Sequence, residues 1–546
     1  MNKFLQLKDI PEIIPSSNDD LCENHFTTTT TRSPDGRYVI ALPFKNEGRN
    51  LYNSFHLALK RYHMLENKFL KYPEFHKKYA AVIEDYLTQN QLSFVDYCPV
   101  DHEVDDFIKI KNGYYIPHFA VEKESSSTPL RVVFDASAKN SEFTSLNEIL
   151  HVGPKLQTDI CSILLNFRFG PIALTADIKQ MYRNIWVRKQ DRKYQKILWR
   201  PFPDATFGLS SSPFQAIRTI KQLSRDECSK YSQSISRILE NDVYIDDVVT
   251  SIDSLDSAKT ICEGLQTVLP SGGFELKKWE SNNSNPRKLF PNSDVQNKHF
   301  SKSDFEIETS TKVLGLKWDP LSDNFSFEIK LTWRKWTKRQ LLSVIARIWD
   351  PLGFLTPIVV KIKILLKKIW TLKIDWDEAL PSFIITSWLA VYSELEHLNN
   401  YQIPRYLETS KQNKCSLFGF ADSSEQAYGA VVYIKSLGNP NFLLISKSRV
   451  TPIKNQTLAR LELCACHLLS KLLNFILTNN QHSIDFDSIY CFSDSMIVLH
   501  WLAGPATRWK TFVANRVTKI RDLIPNAQWL HIPSNQNAAD CVSRGV

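Results

Sequence analysis

Two adjacent aspartates at the tip of an apolar hairpin constrain this chain more than any other feature. Tyr244-Ile245-Asp246-Asp247 follows Asn241-Asp242-Val243 and precedes Val248-Val249-Thr250-Ser251. β-Branched and aromatic residues around a short polar step read as two strands joined by a tight turn. Alone, such a pair is a solvated turn, and Asp19-Asp20 and Asp105-Asp106 show that adjacency is not rare here. A second acid changes the reading. Asp177 closes the run Ile172-Ala173-Leu174-Thr175-Ala176, where a buried strand ordinarily carries no charge. An acid at a strand end beside an acidic hairpin can hold two divalent ions about 3.5–4 Å apart, the clamp used in phosphoryl transfer. Mg²⁺ suits such carboxylate, phosphate and water ligands, with Mn²⁺ as an alternative.

A second constellation lies near the C-terminus. Asp422 follows the strand-like Leu417-Phe418-Gly419-Phe420-Ala421, and Glu462 lies in the helical Leu458-Ala459-Arg460-Leu461-Glu462-Leu463. Asp494 follows Tyr490-Cys491-Phe492-Ser493, and Asp540 ends Asn537-Ala538-Ala539-Asp540. Singly, each acid reads as a surface residue as readily as a catalytic one. Converging, the four make a second two-metal site.

At 546 residues the chain is too long for one ordinary domain, and three or four are expected. Hydrophobic residues at 43% and charged residues at 23% exclude a mainly disordered or fibrous protein. The net charge of +9 permits a polyanionic partner. An excess of that size is concentrated in residues 330–373, where eleven Lys and Arg face a single acid, Asp350, and Trp333, Trp336, Trp349 and Trp370 interleave. The segment reads as a surface for duplex phosphates or as a solvated helix face over a Trp core, and both can hold. The cluster Cys464-Ala465-Cys466-His467 lies in an apolar helical run and reads as buried thiols rather than a metal site. No signal-like leader and no run of about 18 apolar residues is seen, so no membrane partner is expected.

Here the residues carry a resemblance. Tyr244-Ile245-Asp246-Asp247 is similar to the YxDD box of reverse transcriptases. Asp177-Ile178-Lys179-Gln180-Met181-Tyr182 resembles their first palm motif, and Gly208-Leu209-Ser210-Ser211-Ser212-Pro213-Phe214 the motif before the palm helix. Leu314-Gly315-Leu316-Lys317-Trp318 resembles the primer-grip hairpin. With Arg131-Val132-Val133-Phe134-Asp135-Ala136-Ser137 and Trp349-Asp350-Pro351-Leu352-Gly353, the order resembles the polyprotein of BEL/Pao-type long-terminal-repeat retrotransposons. The four C-terminal acids resemble the Asp-Glu-Asp-Asp set of ribonuclease H.

The resemblance implies an α/β and α+β multidomain fold: a right-hand polymerase (fingers, palm, thumb), a connection and a ribonuclease H-like domain. It implies a helical extension over 1–110, fingers and palm over 111–330, a basic thumb and connection over 331–410, and the nuclease over 411–546. The implied activities are RNA-directed DNA synthesis and cleavage of the RNA strand of an RNA–DNA hybrid. The implied partners are an RNA template, a DNA primer, the hybrid and dNTPs. Asp177, Asp246 and Asp247 would ligate one metal pair, and Asp422, Glu462, Asp494 and Asp540 the other. Arg131 and Lys123 would clamp the triphosphate, Tyr182 would exclude a 2′-OH, and Gly208 would admit the template–nucleotide layer. Leu314, Gly315, Trp318, Lys335, Lys338 and Arg339 would contact primer and template. The plainer readings are a core aromatic for Tyr182, a loop lysine for Lys123, and a packed or solvent-facing His531. The location implied is intracellular, either cytoplasmic (free or in a particle) or nuclear.

The pattern departs in one place. Between Trp199 and Gly208 the family usually has roughly a dozen more residues than Arg200 to Phe207 supply. Two rival readings follow: a copy with nuclease activity only, and a non-catalytic nucleic-acid-binding derivative. An aspartic peptidase is not expected, because no Asp-Thr/Ser-Gly triplet occurs.

Overall fold

The computed structural model describes residues 17–45, 51, 54–89, 91–93, 114–122, 130–199, 211–228, 231–283, 289, 310–329, 335–409, 414–436, 438–480 and 484–546. Lys123, Gly208 and the 200–207 segment lie outside the described residues. The fold is a multidomain mixture of α/β and α+β units.

Helix α1 (Ser17–Thr29) leads into β1 (Thr31–Arg32) and β2 (Tyr38–Ile40). Helices α2 (Phe55–Lys71) and α3 (Pro73–Thr88) follow, the second opened by a proline whose missing N–H costs no intrahelical bond there. Their apolar faces, Tyr62, Leu65 and Phe69 with Phe75, Tyr79 and Ile83, share one core with the hairpin β3 (His118–Glu122) and β4 (Leu130–Phe134).

The unit that the resemblance assigns to the palm begins after α4 (Leu146–Ile149) with α5 (Ile160–Phe169), capped by Asp159. Strand β5 (Ile172–Ile178) is buried from Ala173 to Ala176 because it lies inside its sheet. The sheet order is β7-β8-β5-β9, while β6 (Trp186–Val187) pairs with β2. Helices α6 (Ser212–Glu227), α7 (Gln233–Asn241) and α8 (Leu255–Ser271) alternate with β7 (Val243–Tyr244), β8 (Asp247–Ile252) and β9 (Leu276–Ser281). Ile220, Leu223, Ile238, Ile261 and Leu265 from these helices bury the palm sheet.

A second sheet joins β10 (Thr311–Val313), β11 (Leu316–Asp319) and β12 (Asn324–Ser326). Its fourth strand, β13 (Gln402–Pro404), arrives only after α9 (Lys338–Arg347), α10 (Thr356–Thr371) and α11 (Ser382–Leu395). The last sheet has the order β16-β15-β14-β17-β18. Its antiparallel half is β14 (Cys415–Ser423), β15 (Ala427–Ser436) and β16 (Phe442–Val450). Helix α12 (Leu458–Asn479) crosses to β17 (Phe486–Ser493), then α13 (Met496–Ala503) and α14 (Thr511–Leu523) precede β18 (Gln528–His531), and α15 (Asp540–Arg544) ends the chain. Strands β17 and β18 run parallel to β14. Helix α12 is long and apolar enough to cross a bilayer by composition. Here Leu463, Leu469, Leu472 and Ile476 are fully buried in the core of this unit.

One continuous apolar core runs from α5 through the second sheet and the helices α9–α11 into this last unit. Two arginines rivet the junction. Arg405, fully buried, donates to both oxygens of Asp323 (2.6 and 2.8 Å), to the Gly170 carbonyl (2.8 Å) and to that of Phe167. Arg168 donates to the carbonyls of Leu443 (2.8 Å), Arg405 (3.2 Å) and Pro404 (3.3 Å). The segment Trp349-Asp350-Pro351-Leu352-Gly353 is a second strap. Asp350 accepts the N–H groups of Gly353, Phe354 and Leu355 at the start of α10. Ser446 of β16 donates its N–H to Leu352 (2.9 Å). Gly353 has φ +80°, and a Cβ there would lie 1.9 Å from the Ser446 carbonyl oxygen, so only glycine allows this approach.

Candidate active sites

In the palm, strand pairing sets Asp177 opposite Asp247. Asp246 sits in the intervening turn, whose Ile245 has φ +55°, a strained value for a β-branched residue. Gln157 holds that turn at both ends: its Oε1 accepts the Ile245 N–H (3.0 Å) and its Nε2 donates to the Val243 carbonyl (2.9 Å). The Ile178 N–H donates to the Asp246 carbonyl (2.6 Å), fixing hairpin against strand. Beneath, the buried Asp242 accepts from Thr250 (2.7 Å) and Asn166 (3.3 Å). Burial, then the negative charge of Asp246 and Asp177, pushes Asp247 up to about 6. Burial and Asp177 also raise Asp246. Lys278 Nζ donates to Asp177 Oδ2 at 3.0 Å. Arg131, exposed on β4, reaches Asp246 and Tyr182 with its charge. Tyr182 is half-buried and packs against the palm core, and the field of Asp246 reaches its hydroxyl. Its plain reading as a core aromatic and its position beside the acids therefore coexist.

In the C-terminal unit, Asp422 comes from β14, Glu462 from α12 and Asp494 from the end of β17. Ligand oxygens of the three all lie within 4.8 Å of one another. Among the described residues the palm aspartates form no equally tight group. Asp422 and Glu462 are only 2% and 6% exposed. Burial, then Asp494 and Asp540, raises Asp422 to about 6, against a lowering by the Ser543 hydroxyl. Burial drives Glu462 up to about 8. Glu462 Oε1 accepts the Ser423 hydroxyl (2.8 Å) and N–H (3.2 Å), whereas its buried Oε2 has no partner. Ser534 donates to Asp494 (2.6 Å), Ser543 donates to Asp422, and Arg544 pairs with Asp540 (2.6 Å). A buried carboxylate oxygen without a donor, on a residue grouped within 4.8 Å of two further acids, fits a divalent cation and is costly without one. His531 is exposed, the solvent-facing alternative of its two readings. Cys466 is fully buried, as expected of a core thiol.

The structure corrects part of the expected primer and template surface. Trp318 is 0% exposed, donates to Asp323 (3.0 Å) and packs edge-on against Phe167. It is a core residue and offers nucleic acid nothing. Leu314 is buried too, and its carbonyl accepts from Trp349 Nε1 (2.9 Å). Only the Gly315 side of that turn, at φ +91°, is exposed. Lys338 is buried, donates to the Ile374 carbonyl (3.1 Å) and lies over the Trp370 and Trp376 rings. Arg339 is exposed but forms a two-point pair with Asp377 (2.7 and 2.8 Å). Lys363 and Lys367 reach Ser448 and Thr451 of the last unit. Lys335, Lys368 and Lys373 remain on the surface. Long aliphatic stems let lysine serve packing, and residue type alone hides that.

Residues 337–495 match the family model described as the Pao retrotransposon-like RNaseH-like domain. Over that stretch the chain is similar to a Pao-type RNaseH-like domain. The match starts at the N-cap of α9 and includes Asp422, Glu462 and Asp494, but ends before Asp540. No curated protein sequence matches the chain. Among solved structures, the chain is similar to a foamy viral protease-reverse transcriptase (dRH) in complex with double-stranded DNA. That likeness has a TM-score of 0.54 at 15% identity, over 84% of this chain and 69% of that one. It is also similar to a foamy viral protease-reverse transcriptase with an RNA/DNA hybrid (TM-score 0.53, 13% identity), over 98% of this chain and 63% of the other. A third, with double-stranded DNA, gives 0.53 at 12% identity over 98% and 97%. At these identities the likeness is one of fold. With the Pao-type domain, it bears out the resemblance to a Pao-type reverse transcriptase–ribonuclease H region.

Proposed function

We propose that this chain is an RNA-directed DNA polymerase with an RNA–DNA hybrid endonuclease, serving retroelement replication. The observation that carries the reading is the acid triad Asp422, Glu462 and Asp494, whose ligand oxygens lie within 4.8 Å of one another and whose buried Glu462 Oε2 has no hydrogen-bond partner. Asp422, Glu462 and Asp494, with Asp540 at the rim, would hold divalent ions such as Mg²⁺, which when bound supply a nucleophilic water and neutralise charge on the scissile phosphate. The protein's own part is orientation. Ser423 holds Glu462 Oε1, Ser534 holds Asp494 Oδ2, and Ser543 anchors Asp422. In the palm, Asp177, Asp246 and Asp247 would form the polymerase centre, with Arg131 approaching from the fingers to meet the triphosphate as a bidentate donor. Tyr182 would lie against the sugar. The surface Lys335, Lys368 and Lys373 would neutralise phosphates without reading sequence.

One gel tests both halves. A labelled primer on an RNA template, with dNTPs and Mg²⁺, reports extension, and a labelled hybrid reports RNA cleavage. Extension lost in Asp177→Asn and cleavage lost in Asp494→Asn, each without loss of the other, is the expected result. Cleavage without extension in the unaltered chain would leave a nuclease only, the alternative motivated by the short 200–207 segment.

A further inference from the structure

The two acidic centres differ in how their charge is met. In the nuclease unit the triad faces itself, and one buried oxygen has no donor. In the palm a cation from the protein is already there. The register between β5 and β9 slips between Thr175 and Asp177, a β-bulge. Within the bulged stretch Lys278 has φ +55°, a backbone conformation that a side-chain-bearing strand residue rarely adopts. Bulges re-aim side chains, and this one brings the Lys278 ammonium to 3.0 Å from Asp177 Oδ2. The same charge acts on Asp246 and Asp247. The neighbouring Lys277 pairs instead with Glu275 at 3.5 Å. Lys278 and Asp177, with Asp247, Glu280 and Lys312, line one open cleft. The pair is not sealed: the Lys278 side chain is 52% exposed and that of Asp177 26%, so the ammonium can leave without disturbing the core.

We infer that Lys278 is an internal counter-ion of the palm, occupying the cation position at Asp177 in the metal-free protein and competing there with the divalent metal. This rests on the reading of Asp177 as a palm metal ligand. Lys278 is then a positioning residue: it keeps the metal-free carboxylates gathered and must swing outward when a metal binds.

The test is Mn²⁺ binding to the full chain at low salt, followed by electron paramagnetic resonance, in an Asp422→Asn background that weakens the nuclease site. Lys278→Met and Lys278→Gln should each tighten palm binding by about fivefold, the upper scale for releasing a partly exposed pair. Lys278→Arg should not tighten it. In parallel, acylation of the Lys278 amine, read by mass spectrometry, should rise when Mg²⁺ is added and should be high without metal in Asp177→Asn. Superimposable isotherms for Lys278→Met, Lys278→Gln and the parent, with unchanged acylation, overturn the inference while leaving the palm site standing. Palm Mn²⁺ binding that survives Asp177→Asn at full strength overturns the metal-ligand reading itself, and the inference with it.

Discussion

Replacing Glu462 with glutamine should stabilise the metal-free protein at alkaline pH while abolishing hybrid cleavage. In the fold the Glu462 carboxyl titrates near 8 instead of its ordinary 4.5. The folded state therefore holds a proton that the unfolded state has released between those values. Stability from this group is fully present below about 4.5 and is lost as pH rises to about 8. A gap of 8 against 4.5 corresponds to about 5 kcal/mol as an upper bound. Coupling to Asp422 and Asp494 spreads that penalty over the cluster, so about 2–4 kcal/mol is expected for Glu462 alone. Glutamine keeps the Oε1 acceptor for both Ser423 donors. Its Nε2 puts an uncharged donor in place of the partnerless Oε2. The assay is urea unfolding in EDTA at pH 5.5 and pH 8.5, followed through Trp fluorescence. The wild-type midpoint for the C-terminal unit should fall with pH, and that of Glu462→Gln should fall much less. Adding Mg²⁺ at pH 8.5 should restore the wild type and leave the variant unmoved. A variant less stable than wild type at pH 8.5 without metal, or a pH-independent wild type, would refute the argument.

The remaining expectations are local. Asp246→Asn should remove primer extension by more than a hundredfold and leave cleavage within twofold, measured on the same gel. Trp318→Ala should cost about 3–5 kcal/mol of stability as a large-to-small core change, with the salt dependence of duplex binding unchanged in the folded fraction. Lys335→Ala should leave stability alone and lower the slope of log affinity against log salt by about 0.9, one phosphate contact. Arg168→Met should destabilise by about 1–3 kcal/mol, because the buried Arg405 carbonyl loses its donor at that cost, with the partly buried Leu443 and Pro404 carbonyls adding less; thermal melts check it.

The acids were legible because their surroundings are extreme. Asp177 ends a buried apolar run, and Glu462 interrupts an apolar helix, so period and burial together expose the misfit. The strand-like run Leu417–Ala421 lies within the strand Cys415–Ser423, and the helical run Leu458–Leu463 opens the longer helix Leu458–Asn479. Helix α14 was not legible. Its buried Val513, Val517 and Ile520 are spaced for a helix but β-branched, and Lys510 at its N-cap supplies no side-chain bond. The supporting groups were hidden for another reason. Gln157, Lys278, Ser423, Ser534 and Ser543 act across long sequence separations or through a bulge, and nothing local marks them. Trp318 and Lys338 were misread because an aromatic or a lysine in a basic stretch suits a duplex and a core equally until burial is known.

The arginine rivet bears on how such a chain can be inherited. Arg168 belongs to the palm, yet its strongest hydrogen bond, to Leu443 at 2.8 Å, ends on the last unit. Arg405 binds the palm carbonyl of Gly170 at 2.8 Å from the connecting strand. A recombination that exchanged the C-terminal unit would have to reproduce a backbone path, not merely compatible side chains, or leave a fully buried guanidinium facing nothing. The two halves are therefore expected to descend together, with the seam at Arg168 changing more slowly than the surface on either side of it.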